Sequence, residues 1–175
     1  NFGEENKSIM DGLRGYAAIG HNRYATTGET ALRNVQPLYA DLEFGGFAIC
    51  HNGNLTNSLQ LRRELVHNGS IFQSTTDTET ILQLIARSRH RTVTDKLIDA
   101  MKQVDGAFAL VCLTEESVIG LRDPYGVRPL VIGRIGDAYI LTSETVALDI
   151  IGAEFIRDVE PGEMVVIDTK GLHSF

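Results

Sequence analysis

The sequence predicts an α+β fold in which antiparallel sheets stack and helices pack outside them. Helical apolar spacing is concentrated in the middle of the chain, from about residue 54 to residue 104. From residue 107 onward the apolar residues fall in short runs rich in Val, Ile, Leu and Tyr. Turns link those runs too closely for parallel strands, whose crossovers need about a dozen residues.

Residues 1–13 are polar and read as loop with one helical turn, and 17–24 as a strand leading into a Thr26-Thr27-Gly28 turn. Residues 47–51 read as a short buried strand ending at the Asn52-Gly53 turn signal. A helix is expected over 54–68, with Leu59, Leu65 and Val66 as its apolar stripe, Arg62 on its surface and Gly69 as its stop. Thr76 and Glu79 have capping-box spacing, and Ile81, Leu82, Leu84 and Ile85 follow with helical period. A further helix over 94–104 would turn Leu97, Ile98 and Met101 inward and end at Gly106. Strands follow at 107–113, 118–121, 130–132, 139–142 and 164–167, with turns at Asp123-Pro124-Tyr125-Gly126 and 133–136 and a short helix at 144–151 before Gly152. With no repeat and no low-complexity linker, residues 1–175 read as one domain.

Of the 175 residues, 43% are hydrophobic and 22% charged, the balance of an ordinary soluble globule. A net charge of −7 with scattered Lys and Arg argues against a nucleic-acid partner. The basic run from Arg87 to Arg91 reads as the complement of a helix dipole. No apolar run is long enough for a membrane helix, and no leader is visible. Cys50 and Cys112 sit in separate apolar runs, which predicts buried reduced thiols and a cytoplasmic setting, with no disulfide and no metal site.

Three polar clusters, at 20–28, 51–54 and 74–79, together have the chemistry to hold a free amino acid. Arg23 offers a planar guanidinium that can grip a carboxylate through two parallel hydrogen bonds, and Thr26 and Thr27 can add hydroxyls. Asn52 and Gly53 offer a side-chain amide and a backbone N–H that could share one developing oxyanion. Asp77 offers a counterion for an ammonium. Each has a plainer reading: a surface arginine, a hairpin turn and a helix-start carboxylate, and the local pattern alone favours the turn for Asn52-Gly53 and the helix-start role for Asp77. His67 reads as a helix-end surface residue, and the Cys50-His51 neighbours point to opposite faces of a strand.

Taken in order, these clusters resemble the class-II glutamine amidotransferase family of N-terminal-nucleophile hydrolases. The likeness runs from about Gly15 to Ile167. Arg23-Tyr24-Ala25-Thr26-Thr27-Gly28, Leu32-Arg33-Asn34-Val35-Gln36-Pro37, His51-Asn52-Gly53-Asn54-Leu55, the segment 122–130 and Glu160-Pro161-Gly162-Glu163 are most similar to the amidophosphoribosyltransferase branch. That branch makes phosphoribosylamine from glutamine and phosphoribosyl pyrophosphate. Tyr24-Ala25-Thr26-Thr27 stands where hexosamine-phosphate synthases more usually carry Trp-Ala-Thr-His.

The resemblance implies a four-layer αββα sandwich. It implies Arg23, Thr26 and Thr27 on the glutamine α-carboxylate, Asp77 on the α-ammonium, and Asn52 and Gly53 as the oxyanion hole. It implies no cofactor in this segment, Mg2+ for a phosphoribosyltransferase domain, and a homo-oligomer. It gives no chemistry to 122–130. The family's nucleophile is an N-terminal cysteine with its own α-amine as base, whereas residue 1 here is Asn. The chain therefore reads as an N-terminally truncated piece, expected to recognise glutamine but not to hydrolyse it alone. A non-catalytic domain that only binds an amino acid, or serves as an interaction surface, is the alternative.

Overall fold

The computed structural model describes residues 12, 15–22 and 32–175. After a 3-10 turn at Leu32–Asn34 come β1 (Leu38–Leu42), β2 (Gly45–Leu55), α1 (Ser58–His67), α2 (Asp77–Arg87), α3 (Val93–Met101), β3 (Gly106–Leu113) and β4 (Val118–Arg122). The chain continues through β5 (Val131–Ile135), β6 (Ala138–Thr142), α4 (Thr145–Ile151), β7 (Glu154–Asp158), β8 (Met164–Asp168) and β9 (Gly171–Ser174). The strands form a six-stranded sheet in the order β1-β2-β3-β4-β8-β9 and a three-stranded sheet in the order β6-β5-β7. Every pairing among the described residues is antiparallel.

Side-chain alternation divides the larger sheet between two cores. In β3, Phe108, Leu110 and Cys112 face the helices, while Ala109 and Val111 face the smaller sheet. In β8, Met164 and Val166 take the first face and Val165 the second. The helix-side core adds Leu61 and Leu65 of α1, Ile81, Leu82, Leu84 and Ile85 of α2, and Leu97 and Ala100 of α3. Burying each Leu or Ile stabilises the fold by about 1.5–3 kcal/mol. The second core adds Leu130, Ile132 and Val159. Beyond the smaller sheet, Leu148 of α4 packs so tightly over Gly133 that a Cβ there would displace it. The layers therefore run helices, sheet, sheet, helix, which is the expected αββα sandwich.

Several local expectations give way. Residues 17–22 form no strand, because no described strand offers them a ladder, and 23–24 lie outside the described residues. β2 does not stop at residue 51 but runs through Asn52-Gly53 to Leu55, so α1 starts at Ser58 rather than residue 54. The buried stripe of α1 is Leu61 and Leu65, one turn apart, whereas Leu59 and Val66 are exposed. The turn expected at 133–136 is shorter, since β5 holds Gly133 and reaches Ile135. β1, β7 and β9 were not foreseen. In β1 the alternation of Leu38, Ala40 and Leu42 inward is nonetheless present.

Candidate functional site

β2 is the spine of the site, because its two faces deliver different groups. Residues 51 and 55 face the helices, where His51 meets α2 and Leu55 joins the core. Cys50 and Asn52 face the other way and line a cleft of about 1500 Å³ between the sheets, with residues 15–22 along its wall. Gly53 has a φ of 128°, where a Cβ would collide with the Ala107 carbonyl of β3. Its partner strand repeats the device two rungs on, since a Cβ on Gly106 would meet the Asn54 carbonyl. These glycines let β2 and β3 stay paired through the Asn52-Gly53 step, so the dipeptide is a strand segment and not a hairpin turn.

Asp77 opens α2 and reaches back to that strand. The Leu55 N–H donates to its Oδ2 at 2.9 Å, and the His51 Nδ1 stands 3.4 Å from its Oδ1. Thr78 Oγ1 lies 3.3 Å from the same ring nitrogen. Burial raises the Asp77 carboxyl, but the His51 hydrogen bond and charge and the Leu55 N–H more than offset it and hold it below the ordinary carboxylate value. Gly53 stands between His51 and Leu55, the two positions that Asp77 touches.

On the cleft side, Asn52 Oδ1 is 3.1 Å from His21 Nε2. Nothing among the described residues accepts from Asn52 Nδ2, which leaves that donor for another acceptor. The expected companions Arg23, Thr26 and Thr27 lie outside the described residues. Cys50 and Cys112 are free and buried. Burial pushes the Cys50 thiol up to about 11 and Cys112 further still, so on the order of one Cys50 in ten thousand is thiolate at neutral pH.

The loop before Asp77 is built differently from a capping box. Thr76 is the N-cap of α2 but makes no side-chain cap bond. The buried Glu79 instead accepts from Gln73 N–H (2.7 Å), Ser74 N–H (2.6 Å) and Ser74 Oγ (2.6 Å), folding the loop onto the helix. Arg62, expected as a surface residue, donates to Ser74 O at 2.7 Å and lies 4.0 Å over the Phe72 ring. Sequence reasoning also passed over Asn34 and Gln36. Asn34 bonds Thr75 through both amide atoms, and Gln36 bonds the backbone of His51. Their signal was two carboxamides spaced two residues apart in an otherwise unassigned motif.

The segment 122–130 is architectural. Asp123 is fully buried and accepts from the N–H groups of Phe108, Tyr125, Val127 and Arg128. Arg122 donates to the carbonyls of Arg128, Val159 and Gly126. Among the described residues no helix is long and apolar enough to cross a membrane, and no group of three or more His, Cys, Asp or Glu could hold a metal ion.

A fold of two stacked antiparallel sheets between helices, with His21 and Asp77 both meeting β2, defines a class that comparison identifies. Residues 21–149 match the model of the glutamine amidotransferase domain, and the chain belongs to that family. It is 54% identical over 165 residues to amidophosphoribosyltransferase of Rhizobium etli, covering 94% of this chain and 33% of that protein. Against the chloroplastic amidophosphoribosyltransferase of Glycine max it is 48% identical over 170 residues, covering 96% of this chain and 30% of the relative. The solved glutamine phosphoribosylpyrophosphate amidotransferase of B. subtilis, complexed with ADP and GMP, superposes with a TM-score of 0.84 at 45% identity, over 89% of this chain and 33% of that one. The chain spans about a third of the length of these relatives.

Proposed function

We propose that residues 1–175 form the glutamine-recognising part of the glutaminase domain of an amidophosphoribosyltransferase. The domain hydrolyses the side-chain amide of glutamine and supplies ammonia for making 5-phosphoribosylamine from phosphoribosyl pyrophosphate in purine biosynthesis. The observation that carries the reading is the bond from Leu55 N–H to Asp77 Oδ2. It joins the candidate ammonium counterion to the strand that bears Asn52 and Gly53, as one small zwitterion would require.

In this reading Arg23 grips the α-carboxylate through paired N–H groups, with Thr26 and Thr27 adding hydroxyls. Asp77, already ionised, takes the α-ammonium. The side-chain carbonyl oxygen lies between Asn52 Nδ2 and Gly53 N–H, donors that strengthen as negative charge develops there. A cysteine thiolate attacks the carbonyl carbon. The tetrahedral intermediate collapses as a proton passes to the amide nitrogen, which releases ammonia and leaves a thioester. Water then frees glutamate and the thiol. That thiol is neither Cys50 nor Cys112, since burial makes both hard to ionise. Mg2+ belongs with the pyrophosphate in the phosphoribosyltransferase part of the full protein, which is a cytoplasmic homo-oligomer.

The test is glutamine-dependent pyrophosphate release from phosphoribosyl pyrophosphate by the full-length protein. Activity is expected, and Asn52→Ala should lower kcat about 10²–10³-fold with little change in KM. Glutamine binding without ammonia release would favour a non-catalytic binding domain. Transfer to a hexose phosphate instead would favour the hexosamine-phosphate branch.

A further inference from the structure

We propose that Asn34 and Gln36 are positioning residues, each holding one half of the glutamine site in register with the other. The inference rests on the glutaminase reading above and deepens it. Gln36 Oε1 accepts the His51 N–H at 2.6 Å, and its Nε2 stands 3.5 Å from the His51 carbonyl. Its carboxamide therefore meets both backbone groups of residue 51, as a neighbouring strand would. The register of β1 on β2 ends at Leu38 opposite Ile49, so beyond that rung a side chain takes over the ladder. The residue so held is the one immediately before Asn52.

Asn34 works on the other wall. It is 1% exposed, its Oδ1 accepts the Thr75 N–H at 3.0 Å, and its Nδ2 donates to Thr75 Oγ1 at 2.9 Å. Thr75 lies two residues before Asp77 in the loop that Glu79 folds onto α2. One short segment thus sends one amide to the oxyanion strand and another to the ammonium loop. These two pieces are 24 residues apart by the numbering of His51 and Thr75. A misplacement of about 1 Å in such a site costs on the order of a hundredfold in rate, so the spacing set by 34–36 reaches the chemistry.

The two halves act at different stages, and kinetics separates them. The oxyanion donors matter most in the transition state, whereas the ammonium counterion binds ground and transition states alike. In the full-length enzyme, Gln36→Ala should lower kcat about tenfold or more with KM for glutamine within about threefold. Asn34→Ala should raise that KM about tenfold with kcat within about threefold. Rates are counted per nucleophile, titrated with a covalent glutamine analogue, so that a misfolded fraction does not pass for lost kcat. Ammonia-dependent synthesis by the same preparations bypasses the site and should stay unchanged.

Where an alanine variant does not fold, Gln36→Glu and Asn34→Asp keep shape and one acceptor, remove the donor, and should show the same split more weakly. A wild-type enzyme with no glutamine-dependent activity overturns the glutaminase reading and this inference with it. An active wild type whose variants shift kcat and KM together, or shift neither, overturns this inference alone.

Discussion

Gly53 carries more than its place in an Asn-Gly pair discloses. Its φ of 128° is in a region that L side chains rarely adopt, and the Ala107 carbonyl fills the position a Cβ would take. Gly53→Ala should therefore destabilise the fold by at least about 2 kcal/mol, while Asn54→Ala next to it should cost about 0.5 kcal/mol or less. Urea unfolding of both variants checks this, and equal midpoints would contradict the close approach of β2 and β3. Asp77 was legible as a helix-start carboxylate because a bare helix N-terminus favours negative charge. Its bonds to residues 51 and 55 were not legible, because no local rule says which distant strand a loop will meet. The roles of Asn34 and Gln36 stayed hidden for the same reason: both bond to backbone, which carries no residue-type signature.

At the scale of elements, Glu163 ties the edges of the two sheets. Arg157 of β7 donates to both of its carboxylate oxygens, at 2.8 and 2.7 Å, and Ser174 Oγ of β9 adds a third bond at 2.6 Å. Chiefly through the Arg157 bonds, the carboxyl falls from its ordinary 4.5 to about 2. A depressed carboxylate stabilises the fold fully above its unfolded value and loses that contribution as pH falls through the folded one. The stability gap between wild type and Glu163→Gln should therefore be largest above about pH 5 and close progressively toward pH 2. Urea titrations across that range test it, and a gap independent of pH would refute the pairing. Elements differed in how readable they were. α2 was placed correctly because four apolar residues repeat with helical period, although Glu79 does other work than capping. β7 has Phe155 and Ile156 exposed and no inward alternation, so its pairing with β5 left no period to find.

Across the whole molecule, the layering was readable because the strand links are short, and short links force antiparallel neighbours. Which strands belong to which sheet was not, since nothing in the run from β4 to β5 says that the chain changes layers. That change happens at the loop that Asp123 and Arg122 organise. The outermost layer depends on α4 docking through Leu148, which is 1% exposed over Gly133. Leu148→Ala should cost about 2–5 kcal/mol, against about 0.5 kcal/mol for Ile150→Ala on the open side of the same helix. Thermal or urea melts decide it, and similar losses at both positions would mean that α4 is not anchored as described.

β3 serves both cores at once, and that dual service limits how the gene can vary in length. Adding or deleting a single codon within 106–113 would hand every downstream side chain of the strand to the wrong layer, sending Leu110 toward Val165 and Ala109 toward Ile81. Indels are tolerable only in pairs there, or singly where a hairpin can absorb them, as between Thr114 and Ser117 or at Gly136-Asp137.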